Sequence, residues 1–147
     1  MVEPFVNNFW AIAAAVLVAA FGGYVAWRNG HKSRHAIACG NFRASMLRAL
    51  DGLHPHHAKW PRNDQGIDPM LRAAFPAMQA AVAEFRPFIP LWRRRAFDRA
   101  WHQYHCSTGR TVDAQAYHHY MAFSDQPDPK GTFHANVSRL LLFADAT

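Results

Sequence analysis

The chain has 147 residues, a formal net charge of +6 and 50% hydrophobic residues. This length normally corresponds to one compact domain, and the basic charge suits anionic lipid head groups without requiring nucleic acid as a partner. The sequence lacks a nucleophile elbow, a phosphate-binding loop, a dinucleotide fingerprint and paired catalytic carboxylates. It therefore gives no motif-based reason to predict an enzyme.

An uncharged apolar segment occupies 9–27 and reads FWAIAAAVLVAAFGGYVAW. As a helix it spans roughly 28 Å, close to the ~30 Å hydrocarbon core of a bilayer. Trp10 at one end, with Tyr24 and Trp27 at the other, fits the aromatic residues of membrane interfaces. The leader 1–8 lacks the basic residues of a secretory signal. We therefore predict an uncleaved single transmembrane helix.

The charges on either side of this segment indicate its orientation. The leader 1–8 carries only Glu3, whereas the juxtamembrane segment 28–35 is basic. The positive-inside rule therefore predicts that the N-terminus lies outside and that 36–147 is cytoplasmic. The basic side chains expected to contact anionic lipid are Arg28, Lys32 and Arg34.

Hydrophobic residues recur through 36–147 with the 3.6-residue period of an α-helix. We expect a break at 28–30 and, beyond it, four helices, with a fifth short one at 113–123. The prediction is an all-α fold: one transmembrane helix followed by a cytoplasmic bundle of four to five helices. The predicted core positions are Cys39, Phe42, Met46, Leu50 and Leu53; Leu71, Phe75, Met78, Val82 and Phe85; Phe97, Ala100, Trp101 and Tyr104; and Phe133, Val137, Leu140, Leu141 and Ala144.

Helix boundaries follow from capping residues and prolines. Asp68 and Pro69 are typical of an N-cap followed by the first helical position. Pro76 is expected to kink the second helix, and the third helix is predicted over 90–106. The predicted turns and loops are 54–66, 86–90 and 124–131, which are rich in proline, glycine, asparagine and aspartate.

A histidine and cysteine cluster ends the third predicted helix. His102, His105 and Cys106 are spaced i, i+3 and i+4, so they can share one helix face. Imidazole and thiolate suit zinc or copper. Because a cytoplasmic domain keeps its thiols reduced, Cys39 and Cys106 are expected to remain unlinked. We predict no resident cofactor, and these three residues are the candidate ligands of a metal- or haem-binding alternative.

An arginine and a histidine on the same predicted helix suggest a second alternative function, that of a ribonuclease. Arg99 and His105, like Arg95 and His102, have the spacing found in small helical ribonucleases of the HEPN class. Histidine would transfer protons and arginine would stabilise the developing phosphate charge. Ala100 stands where that motif usually has a polar residue. Arg99 and His105 are therefore the candidate catalytic pair of this alternative.

Three consecutive arginines open the third predicted helix. Arg93, Arg94 and Arg95 are candidates for binding lipid phosphates or other anions. The competing interpretation is a solvated basic face on which Arg94 pairs with Asp98 at i, i+4.

Several short motifs resemble an uncharacterised group of small proteobacterial proteins, many of which have an N-terminal hydrophobic segment. The motifs are Phe42-Arg43, then FRPF at 85–88, then FDRAWHQY at 97–104, so the resemblance covers roughly 40–106. It implies a bacterial inner-membrane location and carries no activity.

The function we expect is that of a membrane-anchored assembly or accessory protein. Its cytoplasmic helices would mediate homo-oligomerisation or docking on a larger membrane complex, consistent with the small residues Gly22 and Gly23 of the anchor. The alternatives are a membrane-tethered effector, either a HEPN-like ribonuclease or a membrane-disrupting antiviral protein, and a metal- or haem-binding protein.

Overall fold

The computed structural model describes residues 3–62, 66–106, 115–121 and 128–145. These residues contain no β-strand, and only an isolated parallel bridge joins Cys106 to Ala116. The all-α prediction is therefore confirmed for the described residues. Their helices are α1 (Glu3–Ala49), α2 (Ile67–Phe85), α3 (Leu91–His105) and α4 (Pro129–Asp145), with short 3-10 turns at Arg86–Phe88 and His118–Tyr120.

The chain divides into two compact units, Met1–Ile37 and Ala38–Thr147. Most of α1 lies in the first unit, and this helix is long and apolar enough to cross a membrane. The expected break at 28–30 is wrong, because α1 continues through these residues. A single glycine costs a helix only about 1 kcal/mol, so Gly30 does not end it. The large apolar side chains that this unit exposes are Ile12, Val16, Leu17, Val18, Phe21, Tyr24, Val25, Trp27 and Ile37.

We call the second unit, Ala38–Thr147, the helical unit. Phe97 of α3 is fully buried within it. Its ring centroid lies 6.0 Å from that of Phe42, 5.9 Å from that of Phe85 and 5.2 Å from that of Phe143. Phe42 and Phe85 also stack on each other at 4.5 Å. This aromatic cluster joins residues of all four α-helices in one core.

The helical periodicity identified the core correctly. Apolar residues at 3.6-residue spacing are buried because that spacing places them on the one face that each helix turns towards its neighbours. Trp101 is partly buried against this core. The predicted positions that are buried are Cys39, Phe42, Met46, Leu50, Leu53, Leu71, Phe75, Met78, Val82, Phe85, Phe97, Ala100, Tyr104, Phe133, Val137, Leu140, Leu141 and Ala144.

The start of α2 differs from the prediction. The helix begins at Ile67, and its N-cap is Gly66, which makes no side-chain capping bond. Asp68 instead accepts a hydrogen bond from Arg72 Nε at 2.7 Å, one turn further along. Pro76 lies inside α2, which continues to Phe85. The described part of the loop predicted at 54–66 has turns and bends, as expected.

The start of α4 also differs, because the helix reaches back into the loop predicted at 124–131. Asp128 Oδ1 accepts a hydrogen bond from the Gly131 amide at 2.9 Å, and the Asp128 carbonyl accepts one from Thr132 at 3.0 Å. Aspartate at the N-cap followed by Pro129 is a strong start signal for a helix. This start signal is present in the sequence, but the prediction of a loop at 124–131 rested on its proline, glycine and aspartate content instead.

The segment 115–121 packs against the core without forming the α-helix predicted at 113–123; residues 113, 114, 122 and 123 lie outside the described part of the chain. Its anchor is Tyr120, whose hydroxyl donates to the Tyr104 carbonyl at 2.9 Å. The same oxygen accepts a hydrogen bond from Asn136 Nδ2 at 3.0 Å. Because all three residues are buried, this network fixes the segment between α3 and α4.

Candidate functional site

The C-terminal end of α3 brings His102, His105 and Cys106 together, as the sequence predicted. One ligand atom from each residue lies within 4.8 Å of the other two. His102 is exposed, His105 is half-buried and Cys106 is buried. We call these three residues the histidine–cysteine triad. The triad thus extends from the protein surface into its interior.

The backbone conformation that places Cys106 in the triad was not predicted from the sequence. It lies one residue beyond α3, in an extended conformation with φ −141° and ψ 111°. Its amide donates to the His102 carbonyl at 2.7 Å, while the Ala116 amide donates to the His105 carbonyl at 2.8 Å. The predicted helical i+4 position of Cys106 is therefore wrong, although the proximity is confirmed. The isolated β-bridge to Ala116, in the segment 115–121, holds it there.

The ring of His105 has a defined orientation and tautomer. Its Nδ1 lies 2.6 Å from the Trp101 carbonyl oxygen. A carbonyl can only accept, so Nδ1 carries the hydrogen and Nε2 of the neutral ring keeps its lone pair. The ring packs 4.7 Å from Trp101 and 5.6 Å from Phe75, measured between centroids. Burial lowers the pKa of His105 because it favours the neutral ring, and the hydrogen bond donated to the Trp101 carbonyl opposes this by favouring the charged form.

The proposed catalytic pair Arg99 and His105 has no convergent geometry to support it. Residues six apart leave a helix about 120° apart. Arg99 Nε donates to the Arg95 carbonyl at 3.3 Å, and His105 donates to Trp101. The ribonuclease alternative stays a prediction that no contact among the described residues supports.

The three arginines at the start of α3 have different surroundings. Arg94 donates to the carbonyls of Ile89 and Pro87, both at 3.0 Å. It therefore fixes the turn that precedes α3. Arg95 is exposed. The juxtamembrane residues Arg28, Lys32 and Arg34 are exposed as well, so lipid binding by these groups stays a prediction.

Asp98 pairs with a different arginine from the one predicted. Arg86 Nε and Nη2 each lie 2.8 Å from one of its carboxylate oxygens, forming a bidentate pair. The expected i, i+4 pair with Arg94 is wrong, because Arg94 is turned towards the backbone of the preceding turn. The Arg86 guanidinium holds the pKa of Asp98 below its ordinary value, against a smaller opposing effect of burial.

An aromatic corner at the N-terminal end of α3 was not predicted from the sequence. It comprises Phe88, Leu91 and Trp92, which are 39%, 75% and 80% exposed. The Arg93 guanidinium carbon lies 5.7 Å from the Trp92 ring centroid and 5.0 Å from that of Phe143. Arg93 thus makes cation–π contacts beside the corner. The available signal was that Leu91 and Trp92 lie outside the spacing of the predicted core face.

A second group of histidines lies away from the triad. The His134 ring centroid is 4.6 Å from that of His54 and 6.0 Å from that of His57. His54 Nε2 lies 3.5 Å from the Ser138 hydroxyl oxygen. Burial, together with the charges that His134 and His57 can carry, lowers the pKa of His54 to about 4. His134 was not found from sequence because it is distant from the other two along the chain.

Among the described residues, the triad and the aromatic corner are the two surface features on which we base functional proposals. The resemblance to the proteobacterial group at 40–106 adds no activity to either of them. Comparison of the chain with protein-family models, curated proteins and solved structures finds no match.

Proposed function

We propose that this chain is a single-pass inner-membrane protein of bacteria that acts as an assembly or accessory subunit. In this proposal the leader 1–8 lies outside, the part of α1 at 9–27 crosses the membrane, and the helical unit is cytoplasmic. The helical unit associates with another protein chain, either a second copy or a subunit of a larger membrane complex. It performs no catalysis of its own.

The apolar surface of α1 supports the anchor. The described side chains between Ile12 and Trp27 carry no charge, and their large apolar members are exposed. Leaving that much apolar surface in water is unfavourable by roughly 25 cal/mol per Å², whereas a bilayer accommodates it. The positive charges that follow at 28–35 support the orientation.

The single observation that carries the assembly function is the exposure of the aromatic corner. The helical unit buries Phe97 completely yet leaves Leu91 and Trp92 at least three-quarters exposed. Tryptophan and arginine are the residues that contribute most to protein–protein binding, and the corner places Trp92 beside Arg93. A protein partner that covers the corner would remove this apolar surface from water.

We expect Trp92→Ala to weaken association by about 30-fold or more, the effect of losing a hot-spot residue. The full chain would be purified from native membranes in mild detergent. Its oligomeric state would be measured by light scattering, and co-purifying proteins identified by mass spectrometry. Leu142→Ala is the matched control for the companion variant Leu91→Ala, because Leu142 is an exposed leucine (59%) on α4. The control should associate like the wild type.

Three results would contradict parts of the proposal. Wild-type protein that is strictly monomeric and co-purifies with no other chain would exclude the assembly function. Recovery of the protein in the soluble fraction after cell lysis would exclude the membrane anchor. A Trp92→Ala variant that associates as well as the wild type would exclude the aromatic corner as the contact surface.

A further inference from the structure

We propose that the histidine–cysteine triad binds a thiophilic divalent transition-metal ion, with zinc as the expected ion. The site is independent of the aromatic corner and of the assembly function. It uses two imidazole nitrogens and one thiolate, a ligand set that favours zinc over magnesium or calcium. The ligand atoms already lie within 4.8 Å of one another.

The protein holds two of the three ligands in place before an ion arrives. His105 donates its Nδ1 hydrogen to the Trp101 carbonyl at 2.6 Å, which leaves Nε2 as the ligand atom. Metal-binding histidines commonly use such a second hydrogen bond to set their tautomer and orientation. The rings of Trp101 and Phe75 restrict the His105 ring further. This arrangement lowers the entropy lost when the ion binds.

Cys106 is positioned by the backbone. Its amide donates to the His102 carbonyl, and the neighbouring His105 carbonyl accepts from Ala116. The first is the last i, i+4 hydrogen bond of α3, and the second holds the extended backbone at Cys106 against Ala116. When the ion binds, the thiol loses its proton to solvent and the thiolate becomes the ligand.

The exposure of His102 determines what kind of site this is. Three protein ligands leave one position of a tetrahedron available for water or an external ligand. Because His102 is exposed while Cys106 is buried, that position is on the solvent side. The site therefore suits reversible binding of an ion from solution.

Cobalt is the probe for the test, because a cobalt–thiolate bond gives a charge-transfer absorption band. The full chain, in detergent and without a polyhistidine tag, would be freed of metal with a chelator and titrated with Co²⁺, then with Zn²⁺. We expect one equivalent of Co²⁺ to bind with the thiolate band, and Zn²⁺ to displace it. The band should be absent in Cys106→Ser and present in Cys39→Ser.

Histidine variants test which imidazole groups bind the ion. Removing a residue that hydrogen-bonds to a metal ligand typically weakens metal binding by about 10- to 100-fold. Removing a ligand itself should cost at least as much, so we expect His102→Ala to reduce the affinity for the ion by about 100-fold or more. The exposed His118 supplies the matched control His118→Ala, and His134→Ala tests the other histidine group. Both should bind like the wild type.

Several outcomes would overturn the site. They are a wild-type chain that shows no thiolate band, a band that persists in Cys106→Ser, and unchanged affinity in His102→Ala. Circular dichroism verifies that each variant is folded. If Cys106→Ser does not fold, His102→Ala still decides the matter, because an exposed side chain can be removed without opening the core.

Discussion

Replacing Phe97 with alanine is expected to lower the free energy of unfolding of the helical unit by about 3–5 kcal/mol. The Phe97 ring is fully buried and contacts Phe42, Phe85 and Phe143. Truncation removes its apolar surface from the core and leaves a cavity between three helices that cannot all move inward. This is a large share of the 5–15 kcal/mol that stabilises a typical domain.

The measurement is denaturant unfolding of the full chain in detergent, followed by tryptophan fluorescence. Phe88→Ala is the matched control, because it removes the same side chain from an exposed position (39%). Surface substitutions usually change stability by about 0.5 kcal/mol or less. Equal effects of Phe97→Ala and Phe88→Ala would show that Phe97 is not the centre of the core.

Mild acid is expected to destabilise the helical unit between about pH 6.5 and pH 4. His54 and His119 are buried. Burial is the main cause that lowers the pKa of each to about 4, whereas in an unfolded chain the value is about 6.5. The unfolded state therefore binds protons first as pH falls. The stabilisation is complete above pH 6.5, decreases through this range, and is lost below pH 4. Each histidine contributes up to about 3 kcal/mol.

The test is the free energy of unfolding measured as a function of pH. His54→Gln and His119→Gln remove the titrating groups, so each variant should lose less stability than the wild type between neutral pH and pH 4. The control is His118→Gln, which changes the exposed neighbour of His119. A wild-type stability that is constant over this range would contradict the prediction, as would variants that keep the full acid sensitivity.

The sequence predicted the fold class and the core because both depend on local periodicity. Leu50, Phe85 and Leu140 are buried because each lies on the apolar stripe of its own helix, which can be identified without knowing the partner. The same argument located α3 to within one residue at either end. Local spacing also brought His102 and His105 together on adjacent turns.

Features that depend on long-range partners could not be found in this way. Asp98 has arginines both before and after it, and only the folded turn at Arg86–Phe88 makes Arg86 its partner. His134 joins His54 across most of the helical unit. The conformation of Cys106 is set by Ala116. In each case tertiary packing determines which residue is the neighbour, and the local sequence pattern does not predict tertiary packing.

The buried tyrosines are expected to make the helical unit less stable at alkaline pH as well. Burial raises the pKa of both Tyr104 and Tyr120 above the ordinary phenol value. The unfolded chain ionises first as pH rises, so the stabilisation is complete below about pH 10 and decreases above it. The hydroxyl that joins 115–121 to α3 and α4 must then remain protonated for the core to stay closed. Phenolate formation by these tyrosines would accompany the opening of the bundle, so their ultraviolet absorbance reports directly on its integrity.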